Sequence, residues 1–197
     1  MNQNQTVTMP LNDPFGKATT GKLGMWLFII IDGLSFSGLL IAGAALRVAA
    51  NAWPVAGEIL NIPLTAFNTF LLICTSFTMV MALNAIQKGN QAGLKKYLTY
   101  TMIGGGIFLG IQVYEYYHLI SDGFFLNTSI YSGVFYVTTC FHGMHVLSGV
   151  IYISFILYAA SQGRYSENNW NHVEILGLFW HFVDLVWILV FTVIYLI

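Results

Sequence analysis

The sequence predicts an all-α fold, a polytopic membrane bundle of five transmembrane helices. Three observations carry this. Charged residues are 8% of the chain and hydrophobic ones 57%, whereas a soluble domain carries roughly 25% charged residues. Five stretches are apolar over about the 20 residues that a helix needs to cross a bilayer. Six of the seven basic residues fall on one side when those stretches are threaded back and forth. The net charge of −1 argues against a nucleic-acid partner.

Residues 1–22 read as a polar cytoplasmic segment and residues 23–197 as a single transmembrane domain. Met1 to Gly16 shows no basic region running into a short apolar one, and the first apolar run exceeds the roughly 7–15 residues of a signal-peptide core, so it reads as a retained span. No lipidation signal is seen. The spans lie near Leu23–Leu46, Leu64–Ile86, Tyr97–Ile120, Ile130–Ala160 and His172–Ile197. The fourth is the longest, and it tilts or extends past the membrane surface. Trp53-Pro54, Asn61-Ile62-Pro63, Ser121-Asp122-Gly123 and Gln162-Gly163-Arg164 punctuate the connections. Lys17, Lys22, Lys88, Lys95, Lys96 and Arg164 share one side and Arg47 the other. The positive-inside rule then places the N-terminus in the cytoplasm and the C-terminus on the outer, periplasmic side. Gly38 with Ala42 and Gly106 with Gly110 are small-xxx-small pairs that let helices approach closely. Cys74 and Cys140 lie inside apolar stretches and read as small core side chains.

Ionisable groups are costly in hydrocarbon and mark functional or assembly surfaces. Asp32 lies inside the first span. It is either a proton-linked or lipid-linked site or a hydrogen-bonded packing residue. Glu115 and His118 end the third span among Tyr114, Tyr116 and Tyr117. Glu-x-x-His is half of a di-metal carboxylate motif that needs a second copy, and this chain has one. The alternative is an interfacial cluster near the outer surface. His142 and His145, and likewise His181 and Asp184, are spaced i, i+3, so each pair shares a helix face. The histidines are either haem or metal ligands or partners in helix–helix hydrogen bonds with groups such as Glu174 or Asp184. Glu174, Gly177, His181 and Asp184 form a stripe that meets other helices or a cavity. Trp26, Trp53, Trp170 and Tyr195 suit the bilayer interfaces. No nucleotide loop, Ser-His-Asp set or Cys-rich cluster is present.

Four ordered segments resemble subunit III of the haem-copper respiratory terminal oxidases. The first is Gly24-Met25-Trp26-Leu27-Phe28 with Asp32, Phe36 and Gly38. The second is Leu109-Gly110-Ile111-Gln112 with Glu115-Tyr116-Tyr117 and Ile120-Ser121-Asp122-Gly123. The third is Phe135 and Thr139 with Phe141-His142-Gly143-Met144-His145-Val146 and Gly149. The fourth is Glu174 followed by Trp180-His181-Phe182-Val183-Asp184-Leu185-Val186-Trp187. The resemblance covers nearly the whole chain from Gly24 onward and implies the shorter, five-helix bacterial form.

The resemblance implies a non-catalytic subunit of a bacterial terminal oxidase, a cytochrome c oxidase by first reading, in the inner (plasma) membrane. It implies no cofactor or metal in this chain, with the haems and copper in partner subunits I and II. Subunit I is then the main contact, with subunit II and other oxidase subunits nearby. Bound phospholipid and support of proton uptake also follow. Asp32 takes the family's carbodiimide-reactive carboxylate position, where Glu is usual. The family places a His four residues ahead of the Glu before its last helix; here Trp170 stands there, and His172 is the nearest imidazole. Together with Arg164, His172 is the candidate for lipid headgroups. His142, His145, Glu174, His181 and Asp184 are expected to form an interhelical polar network, with Asp32 and Glu115 as buried or proton-linked carboxylates. The rival readings are a quinol oxidase subunit III, a nitric oxide reductase accessory subunit, a small proton-coupled transporter using Asp32 and Glu115, and a b-haem membrane anchor.

Overall fold

A computed structural model describes residues 20–50 and 52–197. Lys17 and most of the 1–22 segment lie outside the described residues. Among the described residues the chain forms α1 (Thr20–Ala49), a single turn α2 (Ala56–Ile59), α3 (Ile62–Gln87), α4 (Gln91–Ser121), α5 (Ile130–Ser161) and α6 (Asn171–Val190), which continues as a π-helical stretch over Phe191–Leu196.

Local chemistry sets these boundaries. Asn61 caps α3 by accepting the Leu64 N–H at 3.2 Å, and Pro63 follows in the first turn, where its missing N–H costs nothing. The α3–α4 reversal is three residues long and turns on Gly89 at φ 71°, a left-handed conformation that favours glycine. Asn90 then caps α4 through the Gly93 N–H at 2.8 Å. Ser129 and Ser132 make a reciprocal capping box at the start of α5.

α3, α4, α5 and α6 pack in a ring, each against the next, and α6 closes back on α3. α1 leans on this ring from outside, against α5 and α6. Half of the most apolar window of α6 is buried (50%), against 17% of that of α1. α6 is therefore the interior helix and α1 the peripheral one.

Among the described residues four helices are long and apolar enough to cross a membrane: α1, α3, α5 and the Asn171–Leu196 helix. α4, which holds the third expected span, is not one of them. At 31 residues it reaches about 46 Å, so length is not the reason. Three consecutive glycines (Gly104 to Gly106) and several polar side chains dilute its hydropathy. Thr101, Gln112 and Glu115 among them are buried inside the bundle.

The cations gather at one end. Lys22 at the start of α1 pairs with Glu174 at the start of α6. Gln91 at the start of α4 donates to the Tyr165 carbonyl at 2.8 Å, which ties that end to the loop bearing Arg164. Lys88, Lys95 and Lys96 flank the same reversal. Arg47 lies at the opposite end, over the Trp53 ring at 5.9 Å.

The expected small-residue pairs are not where helices meet. A methyl group built on Gly38, Gly106 or Gly110 meets nothing within 4 Å. Close approaches are found instead at Gly104, where it would run into the Thr75 methyl of α3, at Gly105, where it would fall 2.7 Å from the Trp180 ring, at Gly149, 2.8 Å from the same ring, and at Gly43, 2.8 Å from Val134. Spacing alone finds small-residue pairs but not the face that packs. Gly105→Ala and Gly149→Ala should each destabilise the detergent-solubilised chain by about 1–3 kcal/mol. Gly106→Ala and Gly110→Ala should change it by under about 0.5 kcal/mol. Thermal denaturation separates the two sets, and equal losses in both would refute this packing.

Candidate functional site

The polar groups inside the bundle sort into separate clusters, each bridging different helices. The first joins α1 to α5. Asp32 is 8% exposed, and its Oδ2 lies 3.2 Å from His145 Nε2. The other ring nitrogen, Nδ1, lies 2.8 Å from the Phe141 carbonyl oxygen, which can only accept, so Nδ1 carries a hydrogen. The lone pair or second hydrogen of this ring therefore faces the carboxyl. Phe36, one turn from Asp32, packs edge-on to the imidazole at 5.2 Å.

The second cluster joins α3, α4 and the C-terminal helix near the Arg47 end. The Glu115 carboxylate accepts from three side chains: Thr65 Oγ1 at 3.0 Å, Gln112 Nε2 at 2.9 Å and Tyr195 OH at 3.0 Å. Its neighbours in sequence, Tyr114, Tyr116 and Tyr117, are not among the donors. Tyr195 is 1% exposed inside the bundle. Glu115 also borders a cavity of about 330 Å³ that Glu58, Asn61, His118 and Asp122 help to line. His118 turns away from Glu115 to Asp122, 3.9 Å distant.

The third cluster joins α6 to α3. Ser76 Oγ lies 2.9 Å from His181 Nδ1 and donates a hydrogen bond to Asp184 Oδ2. Above and below it, Trp180 Nε1 donates to Thr75 at 3.0 Å and Trp187 Nε1 to Thr69 at 2.9 Å. The stripe Glu174, Gly177, His181 and Asp184 thus meets protein along its length: Lys22, Met79 and Ser76 in turn.

His142 joins none of these. It is fully buried, and neither ring nitrogen has a hydrogen-bond partner among the described residues. Aromatic rings enclose it: Trp187 at 4.8 Å, Phe108 at 5.9 Å and Phe36 at 6.2 Å. His142 and His145 therefore diverge, one toward α6 and one toward α1. Among the described residues no three His, Cys, Asp or Glu side chains converge as a metal set. Arg164 and His172 are at the Lys22 end, with His172 exposed. Beside Arg164, burial pushes the Tyr165 phenol up, with Tyr152 adding to the shift and Arg164 opposing it.

Ser76, Thr65, Thr69 and Thr75 carry no charge, so none of them stands out singly in an apolar sequence. The three threonines do share a signal: Thr65, Asn68, Thr69, Leu72, Thr75 and Met79 recur at helical spacing along the buried face of α3.

Residues 15–197 match the family described as "Cytochrome c oxidase subunit III". The chain is 36% identical over 175 residues to "Cytochrome c oxidase subunit 3" of Thermostichus vulcanus, covering 88% of this chain and 86% of that one. It is 39% identical over 175 residues to the protein of the same name from Synechocystis sp., covering 88% and 74%. It is 32% identical over 174 residues to "Cytochrome bo(3) ubiquinol oxidase subunit 3" of Pseudomonas putida, covering 88% and 84%.

Tyr195→Phe removes one of the three donors to Glu115 and leaves a buried acceptor short. It should lower stability by about 1–3 kcal/mol in denaturant titration of the purified chain. A variant as stable as the parent would show that the phenol is not holding the carboxylate.

Proposed function

This chain belongs to the cytochrome c oxidase subunit III family, and we propose that it serves a cytochrome c oxidase as its non-catalytic third subunit. It is a multi-pass membrane protein of the plasma membrane and subunit III of a haem-copper terminal oxidase. The observation that carries the reading is the family match over residues 15–197. Its partners are the other oxidase subunits. Subunit I is the main contact, subunit II lies nearby, and these two hold the haems and copper.

In this reading α4 crosses the membrane as well, giving five crossings. Its three-residue reversal from α3 and its burial between α3 and α5 support this, since Thr101, Gln112 and Glu115 each make a side-chain hydrogen bond inside the bundle. The Lys22–Glu174 end faces the cytoplasm, because the cations gather there. Residues 23–197 then act as one domain, and the 1–22 segment stays cytoplasmic.

Asp32 and His145 share one proton. With Nδ1 already hydrogenated, Nε2 and Oδ2 need one hydrogen between them, and the pair is neutral overall whichever atom holds it. A neutral pair is what the bilayer interior tolerates. Glu115 is the second buried carboxylate, near the outer surface. His145, Glu174, His181 and Asp184 link helices in pairs, and His142 packs among them. Arg164 and His172 meet phospholipid headgroups at the cytoplasmic surface.

The Pseudomonas putida relative, a ubiquinol oxidase subunit, favours quinol as a second donor. Gentle detergent purification through a tag on this chain tests the proposal. A haem-copper spectrum should arrive with a large multi-span partner, and this chain, once stripped away, should be colourless. Oxidation of reduced cytochrome c by the complex selects the first donor and oxidation of quinol the second. A colourless chain that never brings down a haem-bearing partner would overturn the proposal.

A further inference from the structure

Ser76 of α3 stands between two titratable side chains of α6. Its Oγ is 2.9 Å from His181 Nδ1 and hydrogen-bonded to Asp184 Oδ2. His181 and Asp184 are three residues apart, so both reach the same turn of α3. No ion pair joins them directly, and Asp184 Oδ1 is buried without a partner among the described residues. Within this group the serine hydroxyl is their link.

A hydroxyl carries one hydrogen and accepts through its lone pairs, so between two partners it donates to one and accepts from the other. Two arrangements fit the same heavy atoms. In one, His181 Nδ1–H donates to Ser76, and Ser76 donates to the Asp184 carboxylate. In the other, the Asp184 acid donates to Ser76, and Ser76 donates to His181 Nδ1. Asp184 is 5% exposed, whereas His181 is half-buried. The imidazole is thus the less buried member of the pair.

We infer that His181, Ser76 and Asp184 form a proton relay, in which the imidazole takes up a proton and the serine hydroxyl passes one on to the buried carboxylate. A proton binds His181 Nε2. The Nδ1–H bond breaks as an O–H bond forms on Ser76 Oγ, and the original Ser76 O–H bond breaks as one forms on Asp184 Oδ2. The imidazole ends neutral with its hydrogen on Nε2, the serine is unchanged, and Asp184 is a neutral acid. One proton is gained and no electron moves.

The other ionisable groups on the neighbouring helices are engaged elsewhere. On α1, Lys22 pairs with Glu174 and Asp32 with His145. On α5, His142 lies against Trp187. On α4, Glu115 has its three donors, and on α3, Cys74 lines a groove toward α4. The relay stands on this chain's own geometry and holds whichever electron donor or partner subunits the complex has.

The test is pH-jump infrared spectroscopy on the full chain in lipid nanodiscs. The carboxylic C=O band of Asp184 is assigned by its absence in Asp184→Asn. On acidification that band should grow in the parent chain and at the parental rate in Ser76→Thr, which keeps the hydroxyl. Ser76→Ala should slow its growth by at least about tenfold. His181→Gln keeps a polar side chain but cannot bind the proton, and should slow it likewise. If Ser76→Ala fails to fold, as judged by circular dichroism, His181→Gln decides alone. Undiminished growth in either variant, or no band assignable to Asp184 in the parent, overturns the relay.

Discussion

The Trp180 indole is the contact on which the bundle depends. Its ring fills the space that Gly105 of α4 and Gly149 of α5 leave open, and its N–H reaches Thr75 of α3 at 3.0 Å. One side chain of α6 thereby touches all three of the other ring helices. Lipid tails are as apolar as a leucine, so helices in a bilayer gain nothing by merely hiding apolar surface. Close packing at glycine and hydrogen bonds between helices are what remains, and Trp180 supplies both. Trp187, two turns on, repeats the pattern with Thr69 of α3, Phe108 of α4 and His142 of α5.

With α6 fixed in the ring, α1 is held by different means. It has little buried surface, but two of its charged side chains reach inward. Lys22 meets Glu174 at one end, and Asp32 meets His145 ten positions further on, about 15 Å along the axis. Two pairings at different depths fix both the tilt and the rotation of a helix that packing alone leaves loose. The Lys22–Glu174 pair also cancels charges that lipid would penalise. These residues are thus structural tethers at the few places where the α1 contact is polar.

Much of the helical outline was readable in the sequence, and much of the chemistry was not. The α6 stripe of Glu174, Gly177, His181 and Asp184 is legible because lipid forbids it, and it does face protein. The α5 pair is half legible. Spacing puts His142 and His145 on one face, but only the positions of α1 and α6 send one to Asp32's carboxyl and the other to an aromatic enclosure. The partners were hidden for a simpler reason: Thr65, Ser76 and Tyr195 are ordinary membrane residues until something ionisable lies opposite. Gly38 and Gly106 misled because a small residue permits an approach without causing one. Gly105 and Gly149 matter because a tryptophan fills the space they leave.

A single-particle reconstruction of the complex extracted from its native membrane would test the central claim most directly, that this chain is a subunit of a haem-copper oxidase. The account predicts this chain seated against a haem-bearing multi-span subunit, with Trp180 between Gly105 and Gly149. A reconstruction showing the chain alone, or with itself as its sole partner, would contradict it.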